Sequence, residues 1–287
     1  MDNTIIRKQY LHKGKRLNYR NKTLILSILI FCIIIAIYVC GMFISEELVA
    51  PNFNQMNLKP SMKHLFGTDW LGRDLFLRTM KGLSISITIG FIASITSAVI
   101  ATVIGVVAAT GSKYLDNFIN WLINLVMGIP HMILLILISF ACGRGMKGLL
   151  IGIIVTHWTS LARLIRGEVL QIRSKQYILL SRKLGHSNGW ILVKHILPHM
   201  VPQFIIGLVL IFPHAILHEA SISFLGYGLP PEQPAIGIIL SESMKYLSSG
   251  MWWLAVYPGL TLAIIVILFD KLGDYLKTLI DPYSVHE

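Results

Sequence analysis

Ten histidines are spread along the 287 residues, and four of them, His131, His157, His214 and His218, stand in stretches that are otherwise apolar. Neutral imidazole is the commonest metal ligand and titrates near physiological pH. His214 and His218 are four apart, so any helix that holds them shows both on one face, with Glu219 beside them. Such a pair could share an ion or steady a metal chelate. The same groups could instead hydrogen-bond across helices or to a partner protein. These four histidines and Glu219 are the candidate substrate path, and no fixed structural metal site is expected. A second polar group, Asp69, Arg73 and Asp74, could dock a partner by charge or pair internally to fold its own loop. Surface ion pairs are individually weak, which keeps the docking reading modest in energy.

Enzymatic chemistry finds no footing. Gly143 to Gly148 reads GRGMKG and formally fits GxGxxG, but no strand or βαβ unit surrounds it. Gly14 and Lys15 lack the preceding glycine of a phosphate-binding loop, and His218–Glu219 has no second histidine three positions on. Neither GxSxG nor HExxH occurs. Cys32, Cys40 and Cys142 form no CxxC and no even disulfide framework. No catalytic residue and no cofactor are expected in this chain.

The elements that would hold these residues are membrane helices. With 54% apolar and 14% charged residues the chain does not suit a soluble surface. After a basic tail over 1–23, residues 24–44 carry no Lys or Arg and, up to 44, no acid, and are long enough to cross a bilayer. The apolar core is too long for a secretory signal, which points to an uncleaved first helix with its N-terminus in the cytoplasm. Further apolar stretches run over about 84–109, 118–141, 148–166, 200–225 and 253–276. The expected architecture is all-α and polytopic, with six transmembrane helices and both termini cytoplasmic. It divides into an outer loop over 45–83, a five-helix core over 84–276 containing an inner loop over 167–199, and a tail over 277–287.

Charge tests this path, because Lys and Arg concentrate in cytoplasmic segments. Of the 25 basic residues, 17 fall in segments assigned to the cytoplasm and eight outside, and the formal net charge of +11 is almost wholly inner. Nucleic-acid binding is the competing reading of a basic chain, but the positives are divided among loops rather than gathered on one module. Trp121, Trp252 and Trp253 stand near span ends, as interfacial aromatics do.

The inner loop reads as two short helices. The first starts near Tyr177 and closes on Arg182, Lys183, Leu184 and Gly185, since glycine accepts the left-handed conformation past a helix end. The second runs from about Ser187 until Pro198 stops it. Tyr177, Leu180, Ser181 and Leu184 share one stripe by their three and four spacing. An apolar and small face on a cytoplasmic loop either fits a groove in another protein or packs on the inner ends of its own helices.

This loop resembles the coupling loop of bacterial ATP-binding cassette importer permeases, whose pattern is Glu-Ala-Ala, three residues, Gly, about nine residues, then Ile-x-Leu-Pro. With Gly185 on the family glycine, Leu179, Leu180 and Ser181 fall on Glu-Ala-Ala, and His195, Ile196, Leu197 and Pro198 on the closing positions. The glycine and Leu-Pro are kept; the glutamate is not, so the family's acidic contact to the ATPase is not carried over. FGTDWLGRDLFLR (66–78), EASISFLGYGLPP (219–231) and the segment from Trp252 to Pro282 are similar to signatures of the second permease of dipeptide, oligopeptide and nickel importers.

The resemblance implies a type I importer permease in the bacterial plasma membrane, surrounded by membrane lipid. Its partners would be a homologous second permease, two cytoplasmic ATPases and an extracytoplasmic binding protein, with no nucleic acid. Tyr177, Leu179, Leu180, Ser181, Arg182, Lys183, Leu184, Gly185, Ile196, Leu197 and Pro198 would couple it to the ATPases, and Asp69, Arg73 and Asp74 would meet the binding protein. The membrane histidines favour nickel, cobalt, zinc or a metal chelate as cargo, with di- or oligopeptides as the alternative. A proton-coupled secondary transporter is the lower alternative, and the lack of an evident internal repeat counts against it.

Overall fold

The computed structural model describes the backbone of residues 3–280 and the side chains of residues 21–280. The side chains before residue 21 and the residues after 280, where part of the expected inner charge falls, lie outside the described residues. Among the described residues the regular elements are helices: α1 (Asn3–Met42), α2 (Leu75–Thr110), α3 (Lys113–Gly128), α4 (His131–Ala141), α5 (Met146–Arg173), α6 (Gln176–Lys183), α7 (Asn188–Ile191), α8 (Leu197–Phe224), α9 (Ile236–Leu247) and α10 (Trp253–Ile280). Five of them are long and apolar enough to cross a bilayer: residues 21–42 of α1, then α2, α5, α8 and α10.

The span expected over 118–141 is broken. α3 and α4 meet at a bend of 98°. Pro130 has no N–H to donate and pushes the residue before it out of the helical region, and Ile129 is extended (φ −91°, ψ 136°). A continuous apolar run therefore hides two directions. α4 has 11 residues, about 16 Å of helix, and cannot cross alone. α3 is held to α5 by a bidentate pair from Arg166 to Asp116, at 2.5 and 2.7 Å.

α2 begins nine residues before the expected start at 84, because Asp74 caps it: its carboxylate accepts from Leu77 N at 3.0 Å. The expected outer loop thus ends at residue 74. α2 is the central element. Its buried face is rich in small residues, among them Ser86, Gly90, Ala93, Ser97, Ala101 and Gly105, which lets neighbours approach closely. A Cβ on Gly105 would lie 2.7 Å from the Ala162 carbonyl oxygen of α5. α5 and α8 pack on this helix, α4 covers α5, α9 lies between α8 and α10, and α1 lies at the edge against α2 and α10.

α8 does not stop at Pro198. A wider π-type turn over residues 192–196 joins α7 to α8, and the helix then runs through Pro198, Pro202 and Pro213. The π turn loosens the backbone just where Pro198 would otherwise clash with the preceding turn, and Pro198 sits in the first turn of α8, where a missing N–H costs little. α10 likewise extends to Ile280, past the expected end at 276.

Candidate functional site

Two places hold the residues singled out by sequence. The first is the segment between α5 and α8, which the charge pattern of the sequence assigns to the inner side. α6 ends in a Schellman arrangement: Gly185 N–H donates to the Arg182 carbonyl (3.0 Å), His186 N–H donates to the Ser181 carbonyl (3.2 Å), and Gly185 is left-handed at φ +88°. Ser187 then caps α7, accepting from Trp190 N at 3.2 Å. Ile178, Ile191 and Ile196 are buried with the inner ends of α2, α5 and α8 and anchor the segment. Tyr177, Leu179, Leu180 and Leu184 face outward, with Leu180 58% and Leu184 70% exposed. Arg182 and Lys183 are exposed beside them, as are Leu197 and Pro198. The apolar stripe is therefore not consumed by the chain's own helix ends.

His195 sits where the resembled pattern has isoleucine. Its ring lies 5.7 Å from Tyr177 and 5.2 Å from Trp190, and its Nε2 is 3.4 Å from Ser181 Oγ. It binds α6 to the turn before α8, a role that spacing did not suggest.

The second place is a cavity of about 1270 Å³ between the α3–α4 bend, α5 and α8, reaching the end of α10 at Lys277 and Ile280. Its walls are mostly apolar, and its polar groups include His131, His157, His214 and His218. His131, His157 and His218 come from α4, α5 and α8, and one nitrogen of each lies within 4.8 Å of the others. The sequence spacing suggested the pair His214 and His218, but the structure groups His218 with rings from two other helices and leaves His214 exposed on the cavity wall.

Glu219, expected on the same path, lies apart from this cavity. It is fully buried, accepts from Ser86 Oγ (2.6 Å) and Ser223 Oγ (2.9 Å), and does not line the cavity. Adjacent helix positions point about 100° apart, so with His218 on the cavity side Glu219 turns to α2.

In the loop before α2, Asp69 accepts from Leu71 N and Arg73 N at 2.9 and 3.0 Å, from Arg73 Nε at 2.6 Å and from Arg78 Nη1 at 3.1 Å. Glu242 of α9 completes the group, 2.5 Å from Arg78 and 3.1 Å from Arg73. Asp74, besides capping α2, lies 2.7 Å from His64 Nδ1. Asp69 and Arg78 are almost wholly buried, at 4% and 2% exposed. These charges tie the loop to α2 and α9. Arg78 and Glu242 were not singled out from sequence, and no short-range signal links residues 164 positions apart.

A bundle of helices long and apolar enough to cross a bilayer, with a mostly apolar cavity and an exposed apolar ridge on a short loop, fits a membrane transport protein. The chain matches the family described as binding-protein-dependent transport system inner membrane component over residues 101–283. It is 32% identical over 264 residues to the dipeptide transport system permease protein DppC of Bacillus subtilis, covering 92% of this chain and 82% of that one. It is 31% identical over 275 residues to the oligopeptide transport system permease protein OppC of the same organism, covering 95% and 90%. The fold is similar to that of a chain in the inward-facing MetNI methionine ABC transporter, with a TM-score of 0.60 at 19% identity over 72% of this chain and 98% of that chain. The chain belongs to the binding-protein-dependent transport system inner membrane component family and is a permease subunit of an ABC importer, a multi-pass transport component rather than an enzyme.

Proposed function

We propose that this permease forms half of a path for di- or oligopeptides and couples it to cytoplasmic ATPases through residues 177–198. The observation that carries the coupling is the exposed ridge of Tyr177, Leu179, Leu180 and Leu184 on a helix anchored from behind by Ile178. Exposed apolar side chains of this size on a short loop call for a groove in a partner. Two ATPases binding ATP and magnesium, a homologous second permease and an extracytoplasmic binding protein complete the importer. ATP-driven closure of the ATPases moves α6 and α7, tilts the ends of α5 and α8, and exchanges inner for outer access to the cavity. The 17 inner basic residues favour cytoplasmic termini.

For cargo, the relatives' names support peptides, and the expectation of nickel, cobalt, zinc or a metal chelate finds no support in them. The experiment is uptake by the reconstituted importer of labelled dipeptide and, separately, of labelled nickel with and without a chelator. Dipeptide accumulates in an ATP-dependent manner and nickel stays at background. Accumulation of nickel or its chelate without dipeptide uptake overturns the peptide reading. Unimpaired uptake with Leu184→Glu overturns the coupling reading.

A further inference from the structure

We propose that His131, His157 and His218 bind one divalent transition-metal ion of the zinc, cobalt or nickel class in the cavity wall, joining α4, α5 and α8. This inference concerns a bound ion and stands apart from the nature of the cargo.

Three observations carry it. The first is convergence: three imidazoles from three helices bring one nitrogen each within 4.8 Å of the others, with ring centroids 4.4, 4.8 and 5.1 Å apart. Three nitrogens on one tetrahedral ion at 2.0–2.1 Å lie about 3.3 Å from one another. Small side-chain rotations close that difference.

The second is tautomer. His157 Nδ1 lies 2.9 Å from the Ile153 carbonyl, which can only accept, so Nδ1 carries the proton and Nε2 keeps its lone pair. His218 Nδ1 lies 3.1 Å from the Met132 sulfur, a weak acceptor, which likewise leaves Nε2 free. Metal-bound histidines are oriented in this way, with the second ring nitrogen donating to a carbonyl or other acceptor. The third is His131 Nε2, which is buried and has no hydrogen-bond partner. An unpaired ring nitrogen at that depth costs free energy, and coordination would satisfy it.

Three neutral imidazoles supply three ligands and no compensating charge, so the fourth position faces the cavity and is open to water or an anion. Soft or borderline metals that favour imidazole fit this set, and magnesium and calcium, which favour oxygen, do not. An ion here would tie the short α4 segment to α5 and α8 across the bend at Pro130, where few other polar contacts hold it.

The test is titration of the detergent-solubilised importer with Co²⁺. A tetrahedral site gives intense visible absorption, whereas six-coordinate Co²⁺ at magnesium-binding positions of the ATPases absorbs weakly. The expected result is about one tetrahedral Co²⁺ per copy of this chain, displaced by Zn²⁺ and not by Mg²⁺. His131→Gln and His218→Gln, which are less buried than His157, should each weaken binding by more than about 100-fold, and His214→Gln should keep the absorption. Absence of a tetrahedral band in the unaltered importer overturns the proposal without recourse to any variant. So does a band retained in both His131→Gln and His218→Gln.

Discussion

The two ends of this permease, outer and inner in the proposed orientation, use their side chains in opposite ways. On the outside, a neutral set of two arginines and two acids is drawn together: Asp69 takes four hydrogen bonds, and Glu242 of α9 joins Arg73 and Arg78 to close the group. On the inside, the segment between α5 and α8 is pinned by three buried isoleucines and leaves its largest apolar side chains in the open. An element that satisfies its own polar groups folds without help. One that leaves leucines exposed is unfinished until something covers it. Mutations at the outer end should therefore read out as stability, and mutations at the inner end as coupling.

The largest effect is expected at Asp69. Asp69→Ala leaves Arg78 buried with one acid instead of two and frees two backbone N–H groups. Breaking a buried pair from one side costs about 3–5 kcal/mol. Thermal unfolding of the purified permease should fall accordingly, while the molecules that remain folded keep normal ATP-coupled uptake. A loss under about 1 kcal/mol would mean that the outer network is not what holds the loop to α9.

Gly185→Pro should act in the opposite sense. Proline fixes φ near −65° and has no N–H, whereas position 185 needs φ +88° and a donor to Arg182. Because nothing lies within 4 Å of a Cβ there, the damage is confined to the angle between α6 and α7. Unfolding temperature should move little and uptake should drop by more than about tenfold, equivalent to about 1.4 kcal/mol at the ATPase interface. Global unfolding with Gly185→Pro would erase the contrast between the two ends.

How much of this contrast could be read from sequence follows from range. The Gly185 turn and the Ser187 cap are local, and their residue types announce them. The long apolar runs announce α2, α5, α8 and α10 in the same way. The bend at Pro130 was hidden because an apolar run records depth and not direction; the proline was its only mark. Pro198 looked like an end because the π turn that accommodates it leaves no residue signature. Asp74 before LFLR is a cap signal, but the residues after it are too short an apolar run to mark a span by themselves. The histidine cluster and the Arg78–Glu242 pair join separate helices, and a single sequence carries no distance between them.

The smallest effect uses one device found at both ends. Asp74 caps α2 on the outside and Ser187 caps α7 on the inside, each by accepting a backbone N–H three residues on. Replacing a cap by alanine costs about 1 kcal/mol of helix stability wherever it stands. Asp74→Ala also releases His64, so its cost should be the larger of the two, and it should appear as a lower unfolding temperature with uptake per folded molecule unchanged. Ser187→Ala frays a helix of four residues that the core holds only through Ile191, and α8 stays in place without it. Unfolding temperature should then stay the same while ATPase stimulation by cargo weakens by about fivefold, the equivalent of about 1 kcal/mol. Asp74→Asn and Ser187→Asp, which retain an acceptor, should each restore most of the loss. If the two alanine variants instead shift the same observable, the division of labour between the outer and inner ends fails.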